Sequence, residues 1–532
     1  MDFWNLADAL DLIAELRAEH DALIQGGRRL CWREVERRAR NLGAWMLESG
    51  ASHQGKVAVY TYNHPAYMET VYAAMKAALV PVNVNYRYRA GELRYLLDNC
   101  DAEFVVVHED FVPQLAELRS DLPKLHGVLV VGDAAPAGAE SYEAIAETDR
   151  EATAAPRSGS DLLLLYTGGT TGMPKGVMWR QHELYERLGG VGILPSPPDR
   201  EALRAFITSL PAPVRLLAGP PLMHGTGWFT AMIAWLTGGV IVLLDDPRKF
   251  DAAQLWRCVE HHQTNVISIV GDSFASPMLQ ELRSGRRYDI SSVEMIASSG
   301  VIWSEETKQG LLEFNPKLAL VDTFSSSEAL GMGTSVTTSQ GVSRTARFEI
   351  SSFTRLFDEA LEPIETRPGA RGLVGVAGPQ PIGYYKDPEK TAQTFVEIDG
   401  QRFSVPGDWA EVDEDGLTLK VLGRGSVCIN TGGEKVFPEE VEEVLKLHPA
   451  VKDAVVVGVP DEKWGEAITA VVSSAGRELD PADLVAFVKH RLAGYKAPKH
   501  VVAVDEVYRS PSGKADFQRT RQAALEALGM AG

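Results

Sequence analysis

Tyr166-Thr167-Gly168-Gly169-Thr170-Thr171-Gly172-Met173-Pro174-Lys175-Gly176-Val177 is the stretch whose reading decides the fold. An unbroken apolar run, Leu162 to Leu165, precedes it behind Asp161 and reads as a strand buried on both faces. A second apolar run, Val177-Met178-Trp179, follows it. Between the two, hydroxyls and glycines alternate and end in a lysine. Glycines let successive backbone N–H groups converge on an anion, hydroxyls donate further hydrogen bonds, and the lysine adds a point charge. This is a loop for holding a polyphosphate. It is not a Walker loop, which needs Gly-Lys-Ser/Thr, because Pro174 precedes Lys175 and Gly176 follows it.

These twelve residues resemble the phosphate loop of the AMP-forming acyl-CoA synthetases, the superfamily that also holds amino-acid adenylation domains and luciferases. The resemblance implies ATP as a substrate, with Thr167, Gly168, Gly169, Thr170, Thr171, Gly172 and Lys175 on its phosphates.

The rest of the chain bounds the reading. At 532 residues it is too long for one core and should form two or more domains. Hydrophobic content of 45% and charged content of 23% are those of a soluble globular protein. A net charge of −19 argues against nucleic acid or an acidic membrane as partner, but not against ATP or CoA, which respond to local groups. Cys31, Cys100, Cys258 and Cys428 are scattered singly, as in a reducing compartment. Met1 to Leu16 has no basic n-region, and no apolar run approaches the roughly 20 residues that span a bilayer. A cytoplasmic protein without stable membrane insertion is expected; assembly as a homodimer stays open.

Leu6 to Leu16 has helical spacing, Ile24 to Leu30 reads as a hairpin about Gly26-Gly27, and Trp32 to Glu48 is amphipathic with Val35, Ala39, Leu42 and Met46 on one face. Strand and helix then alternate: Val57–Tyr62, Pro65–Ala78, Val80–Val84, Gly91–Asn99, Phe104–Val107. Such alternation predicts parallel sheets with crossover helices. Ala134 to Ser160, rich in Pro and Gly, reads as a linker or surface loop, and alternation resumes from Val240. Gly372 to Gly383 reads as short strands and Gly383-Tyr384-Tyr385 as structural. The expected fold class is α/β: a large amino-terminal domain of stacked α/β layers, residues 1–423, and a small mobile α+β domain, residues 424–532.

Further segments match the family in order. Ser299 and Gly300 follow a strand where the resemblance places the adenine. In Asp322-Thr323-Phe324-Ser325-Ser326-Ser327-Glu328, Phe324 would stack on adenine, Asp322 accept from its amino group, and Glu328 ligate Mg²⁺ together with Thr167. Ser325 departs from the usual glycine and Ser327 from the usual threonine. Asp408 would bridge the ribose hydroxyls, a vicinal diol suited to two acceptor oxygens, with Arg424 beside it. Gly432, Gly433, Glu434 and Lys435 resemble the thioester-forming loop that receives CoA, and Lys514 the terminal catalytic lysine, joining Thr167, Lys175 and Glu328. The family turns its small domain about the residue two after the arginine, here Ser426. From Lys489 to Arg521 eight Lys or Arg face three acids, a candidate landing surface for the CoA phosphates.

The acyl pocket falls on His224, Trp228, Phe229, Phe274 and Gly331. No acidic residue lies between Phe229 and Leu236, where adenylation domains place the aspartate that pairs an amino-acid ammonium. The resemblance therefore implies an ATP- and Mg²⁺-dependent ligase joining a hydrophobic carboxylic acid to CoA, of the branch acting on fatty and sterol-side-chain carboxylates. An aryl acid, or transfer of the acyl group to a carrier protein, stays open. A luciferase-type oxygenase finds no support, and Glu328 with Lys514 argues against a sensor that has lost catalysis.

Overall fold

The computed structural model describes residues 5–150, 155–169, 172–191, 196–341, 343–431, 434–461, 464–492, 494–509 and 513–530. The chain divides into two compact units. The first comprises Met1–Gly168, Met173–Ala346 and Val376–Ser404; the second comprises Gly169–Gly172, Arg347–Gly375 and Val405–Gly532. The second unit thus takes in strands ahead of the Gly423–Arg424 boundary read from sequence.

Two sheets make the frame of the first unit. One runs, in spatial order, Gly383–Tyr384, Gly172–Arg180, Leu162–Gly169, Val80–Asn83, Lys56–Tyr60, Ala102–His108, Gly127–Val131 and Glu140–Ser141. Its middle strands pair in parallel. Val57, Ala58, Val59 and Tyr60 are all fully buried, as a parallel strand covered on both faces requires. The other sheet contributes Gly333–Thr337, Ala319–Phe324, Met295–Ser299, Val266–Ile269, Arg215–Ala218, Val240–Leu243, Asp21–Gln25 and Arg28–Cys31 to this unit. The helix Trp32–Glu48 buries Val35, Ala39, Leu42 and Met46, the face its spacing predicts.

One expectation needs correction. Within residues 134–160, read as a linker or surface loop, residues 140–146 are regular structure. Glu140–Ser141 pairs with Leu129 and Val130, and the helix Tyr142–Ala146 buries Tyr142, Ile145 and Ala146. The Tyr142 phenol donates to Glu69 Oε2 at 2.8 Å, and Glu143 accepts from Arg38 at 3.0 Å and from Arg28 at 2.8 Å. Arg38 is itself fully buried and paired with buried Glu69 at 2.6 Å. Composition reads this segment as loop because its order comes from distant partners, not from local periodicity.

In the second unit, antiparallel strands Asp408–Val412 and Thr418–Arg424 bring Asp408 opposite Arg424. A five-stranded sheet follows, built on Val451–Asp461 and Gly465–Ser474. Its side chains alternate with period two. Ala454, Val456, Ile468, Ala470 and Val472 share a core with the helices Pro438–Lys446 and Pro481–Lys489. Val457, Val459, Ala467 and Val471 instead pack with the helix Phe517–Ala527.

Candidate active site

The phosphate-loop stretch is fixed at its start by one amide. Asn83, ending its strand, donates to the carbonyls of Tyr166 at 2.9 Å and Met223 at 2.7 Å, and accepts from Tyr166 N–H at 2.5 Å. The loop thereby begins beside the segment leading to His224. Gly176 is required for close approach: a Cβ there would lie 2.7 Å from the Tyr166 ring. Thr167, Gly168, Gly169 and Gly172 lie on the flanking strands, whereas Thr170 and Thr171 lie outside the described residues.

The strand carrying Lys175 pairs antiparallel with Gly383–Tyr384, Val177 opposite Tyr384. Lys175 Nζ lies 2.6 Å from Asp387 Oδ2 and 5.8 Å from the centre of the Tyr384 ring. The Tyr384 hydroxyl donates to Glu328 Oε1 at 2.8 Å. Ser404 Oγ holds the Glu328 carbonyl at 2.7 Å, and Trp179 Nε1 donates to the Ser327 carbonyl at 3.1 Å. The dipeptide read as merely structural therefore links Lys175 to Glu328, two residues 153 positions apart (328 − 175). The Ser325 departure also has a local use: its Oγ accepts from Gly331 N–H at 2.9 Å and closes the turn after Phe324.

Ser299 and Gly300 end the strand beside Ala319–Phe324, with Ser299 Oγ donating to the Thr323 carbonyl at 2.8 Å and Gly300 at φ +95°. Thr226 Oγ1 in turn reaches the Ser299 carbonyl at 3.4 Å. Asp322 and Phe324 share a strand face by alternation. Phe324 is half-buried, but Asp322 is buried, with Lys308 Nζ 3.7 Å from its Oδ2. Burial pushes the Asp322 carboxyl up to about 7; nearby Asp272 adds to this and Lys308 opposes it. Lys308, fully buried, has its own pKa lowered by burial against the pull of Asp322 and Asp272. Sequence reading did not find Lys308, since a lysine at helical spacing looks like a solvated one.

The residues read as an acyl pocket do not form one apolar group. Trp228 and Phe229 meet edge to face, ring centres 5.5 Å apart, within the larger core. Trp228 also lines a small gap of about 10 Å³ with Tyr67, Val71 and Leu163 to Leu165. Phe274 belongs to the second core and stacks at a tilt on Phe250, 4.4 Å away. His224 caps the start of the helix Gly225–Leu236, and Gly331 is buried at φ +74°.

In the second unit, Arg424 Nε donates to Asp408 Oδ1 at 3.2 Å, while Asp408 Oδ2 is buried with no hydrogen-bond partner among the described residues. Glu439 lies against the same strand end, its carboxyl filling the space beside Gly423, and Gly423 stands at φ +122°, where a side chain would strain the backbone. Burial pushes the Glu439 carboxyl well above the ordinary range, helped by Glu442 and Asp408 and opposed by Arg424. Ser426 sits in the single turn Gly425–Val427. Glu434 and Lys435 belong to a strand hairpinned on Ile429–Thr431, and Gly432 and Gly433 lie outside the described residues. Lys514 is exposed, beside a Gly513 carbonyl held by Arg509 at 3.1 Å. The basic run is partly consumed within the unit. Lys496 is buried on Glu440 at 2.5 Å, and Arg509 pairs with Asp453 at 2.6 Å.

Comparison with known proteins places this geometry. The AMP-binding enzyme family matches residues 10–385, and the AMP-binding enzyme C-terminal domain matches residues 440–514. A medium/long-chain-fatty-acid–CoA/3-oxocholest-4-en-26-oate–CoA ligase of Mycobacterium tuberculosis is 38% identical over 529 residues, covering 97% of this chain and 96% of that one. A 3-oxocholest-4-en-26-oate–CoA ligase of Rhodococcus rhodochrous is 37% identical over 531 residues, covering 97% and 95%. Among solved structures, an anthranilate CoA ligase in complex with anthranoyl-AMP superposes with TM-score 0.85 at 21% identity, over 100% of this chain and 99% of that one, a likeness of fold. The chain belongs to the AMP-binding enzyme family, as an AMP-forming acyl-CoA synthetase.

Proposed function

We propose that this chain joins a bulky hydrophobic monocarboxylate, a fatty or sterol-side-chain acid, to CoA by way of its acyl-adenylate. The observation that carries the reading is the linkage of Lys175 and Glu328 through Gly383–Asp387, the two residues to which the reading gives phosphate and metal roles. The choice of acid is supported by the acids for which its relatives are named and by a helix, Gly225–Leu236, without a charged residue.

In the first step a carboxylate oxygen of the acid attacks the α-phosphorus of ATP, and the bond to the bridging oxygen breaks with loss of pyrophosphate. Lys175 and Lys514 carry positive charge to the oxygens where negative charge grows, a task of position and charge. Glu328 and Thr167 would hold Mg²⁺. A single fixed carboxylate suits an ion that keeps most of its shell from phosphate and water, and among the described residues no cluster of three or more His, Cys, Asp or Glu could hold a metal alone. Bound there, Mg²⁺ supplies neutralisation of the phosphate charge. Asp408 Oδ2, buried and unsatisfied, fits a ribose hydroxyl donor.

In the second step the CoA sulfur attacks the acyl carbonyl carbon and AMP departs. The small domain, bounded at Gly423–Arg424, turns about Ser426 to exchange Lys514 for the Gly432–Lys435 loop. A cytoplasmic setting suits Cys31, Cys100 and Cys258, which form no disulfide and of which the last two are buried, and no helix among the described residues is long and apolar enough to cross a membrane. Incubation with ATP, CoA and a panel of acids, reading AMP and thioester by mass spectrometry, tests the reading. AMP and thioester in equal amounts support it; acyl-AMP accumulating without thioester would favour a carrier protein as acceptor.

A further inference from the structure

The adenine loop stands on a buried charged cluster that the reaction itself does not use. Lys308, one turn into the helix Glu305–Phe314, is 1% exposed. Its ammonium lies 3.7 Å from Asp322 Oδ2 and 3.3 Å from Ser343 Oγ, with the buried Trp303 ring centred 5.4 Å away. Asp272, at the start of the helix Asp272–Arg283, accepts from Ser304 N–H at 3.2 Å and from the Thr307 hydroxyl, which pins the loop that follows Gly300. Ser298 stands opposite Asp322 in the paired strands and donates to it. The charged groups facing the pair are therefore Asp272 and, toward Lys308, Glu305.

A buried lysine is seldom kept without a charge to hold. We propose that Lys308 is a positioning residue for base recognition: it aims the Asp322 carboxylate and favours its ionised form, so that the site prefers a purine with a 6-amino donor over one with a 6-oxo acceptor. An ionised carboxylate only accepts hydrogen bonds, whereas the protonated acid also donates one. Adenine offers a 6-amino donor and hypoxanthine a 6-oxo acceptor. Without Lys308, burial beside Asp272 drives a proton onto Asp322, and the site then tolerates either base. The proposal rests on the reading that Asp322 faces adenine.

The test is the ratio of kcat/KM for ATP to that for ITP in acid-dependent pyrophosphate exchange, measured from about pH 6 to pH 8. In the wild type the ratio should fall with pH through about 7, as Asp322 takes up its proton. In Lys308→Met the fall should move up by about one pH unit or more, leaving ATP preference near neutrality about tenfold lower. Lys308→Arg, which keeps the charge, should track the wild type. Asp322→Asn, which can donate and accept, should show a low ratio at every pH. If Asp322→Asn keeps the wild-type ratio, Asp322 does not face the base and the underlying reading fails. If Asp322→Asn loses the preference but Lys308→Met keeps the wild-type profile, the role given to Lys308 is overturned. Should Lys308→Met fail to fold, Lys308→Gln, which also removes the charge, decides by the same profile: a ratio that follows the wild type at every pH contradicts the proposal.

Discussion

The hydroxyl of Tyr384 stands 2.8 Å from Glu328 Oε1, while the same ring lies 5.8 Å from Lys175 Nζ. One phenol thus sets the carboxylate proposed for the metal and flanks the lysine proposed for the phosphates. Tyr384→Phe keeps the ring and removes only the hydrogen bond. Adenylation should fall about tenfold, and half-saturation by Mg²⁺ should rise, because a buried hydrogen bond to a charged group is worth about 1.5–3 kcal/mol. Magnesium titrations of pyrophosphate exchange check this. A loss of rate with unchanged magnesium dependence would make Tyr384 a packing residue only.

Asp387 presents a second case. It pairs with Lys175 and also caps the helix Pro388–Thr394, accepting from Lys390 N–H at 2.9 Å. Burden on the lysine should show in binding: Lys175 must exchange Asp387 for phosphate when ATP arrives. Asp387→Asn retains the cap and drops the charge, so ATP should bind about threefold tighter, in line with a half-exposed ion pair. Calorimetric titration with ATP reads this directly. Weaker binding would mean that Asp387 aims Lys175 rather than competing for it.

Glu439 gives a prediction in pH. Its folded pKa is raised by burial, so from the ordinary value of 4.5 upward the unfolded chain sheds a proton that the folded chain retains. The stability it contributes is full in acid and drains as pH rises through the neutral range. Glu439→Gln is neutral throughout. Its stability relative to wild type should therefore climb between about pH 5 and pH 8, by about 1 kcal/mol for each pH unit. Parallel curves would show that Glu439 is ionised in the folded protein.

Lys514→Ala should separate the two half-reactions. Acyl-AMP formation should drop by about 10²–10³, the usual worth of one preorganised donor to developing charge. Conversion of supplied acyl-AMP and CoA to thioester should continue, since no pyrophosphate leaves in that step. Equal damage to both would make Lys514 structural.

Much of the frame is legible in the sequence because it is written in local pattern. The helices Leu6–Leu16 and Trp32–Glu48 run between the residues their spacing indicates, and the glycine- and hydroxyl-rich stretch from Thr167 to Lys175 stands out by composition. What escapes is what depends on distant partners. Tyr384 and Asp387 acquire meaning only when their strand lies against Lys175. Lys308 looks solvated until its helix packs behind Asp322. The Glu140–Ala146 segment looks like loop until Arg38 and Glu69 receive it. Aromatic side chains fill cores as readily as they line pockets, and of the residues read as an acyl pocket Trp228 and Phe274 fall in separate cores.

The measurement that bears most directly on the account is kcat/KM for thioester formation across acetate, benzoate, a medium-chain fatty acid and a sterol-side-chain acid. Each buried methylene contributes about 0.8 kcal/mol, so the fatty or sterol acid should exceed acetate by at least about 10²-fold. Highest efficiency with acetate, or with a free amino acid added to the panel, would contradict a hydrophobic-acid ligase.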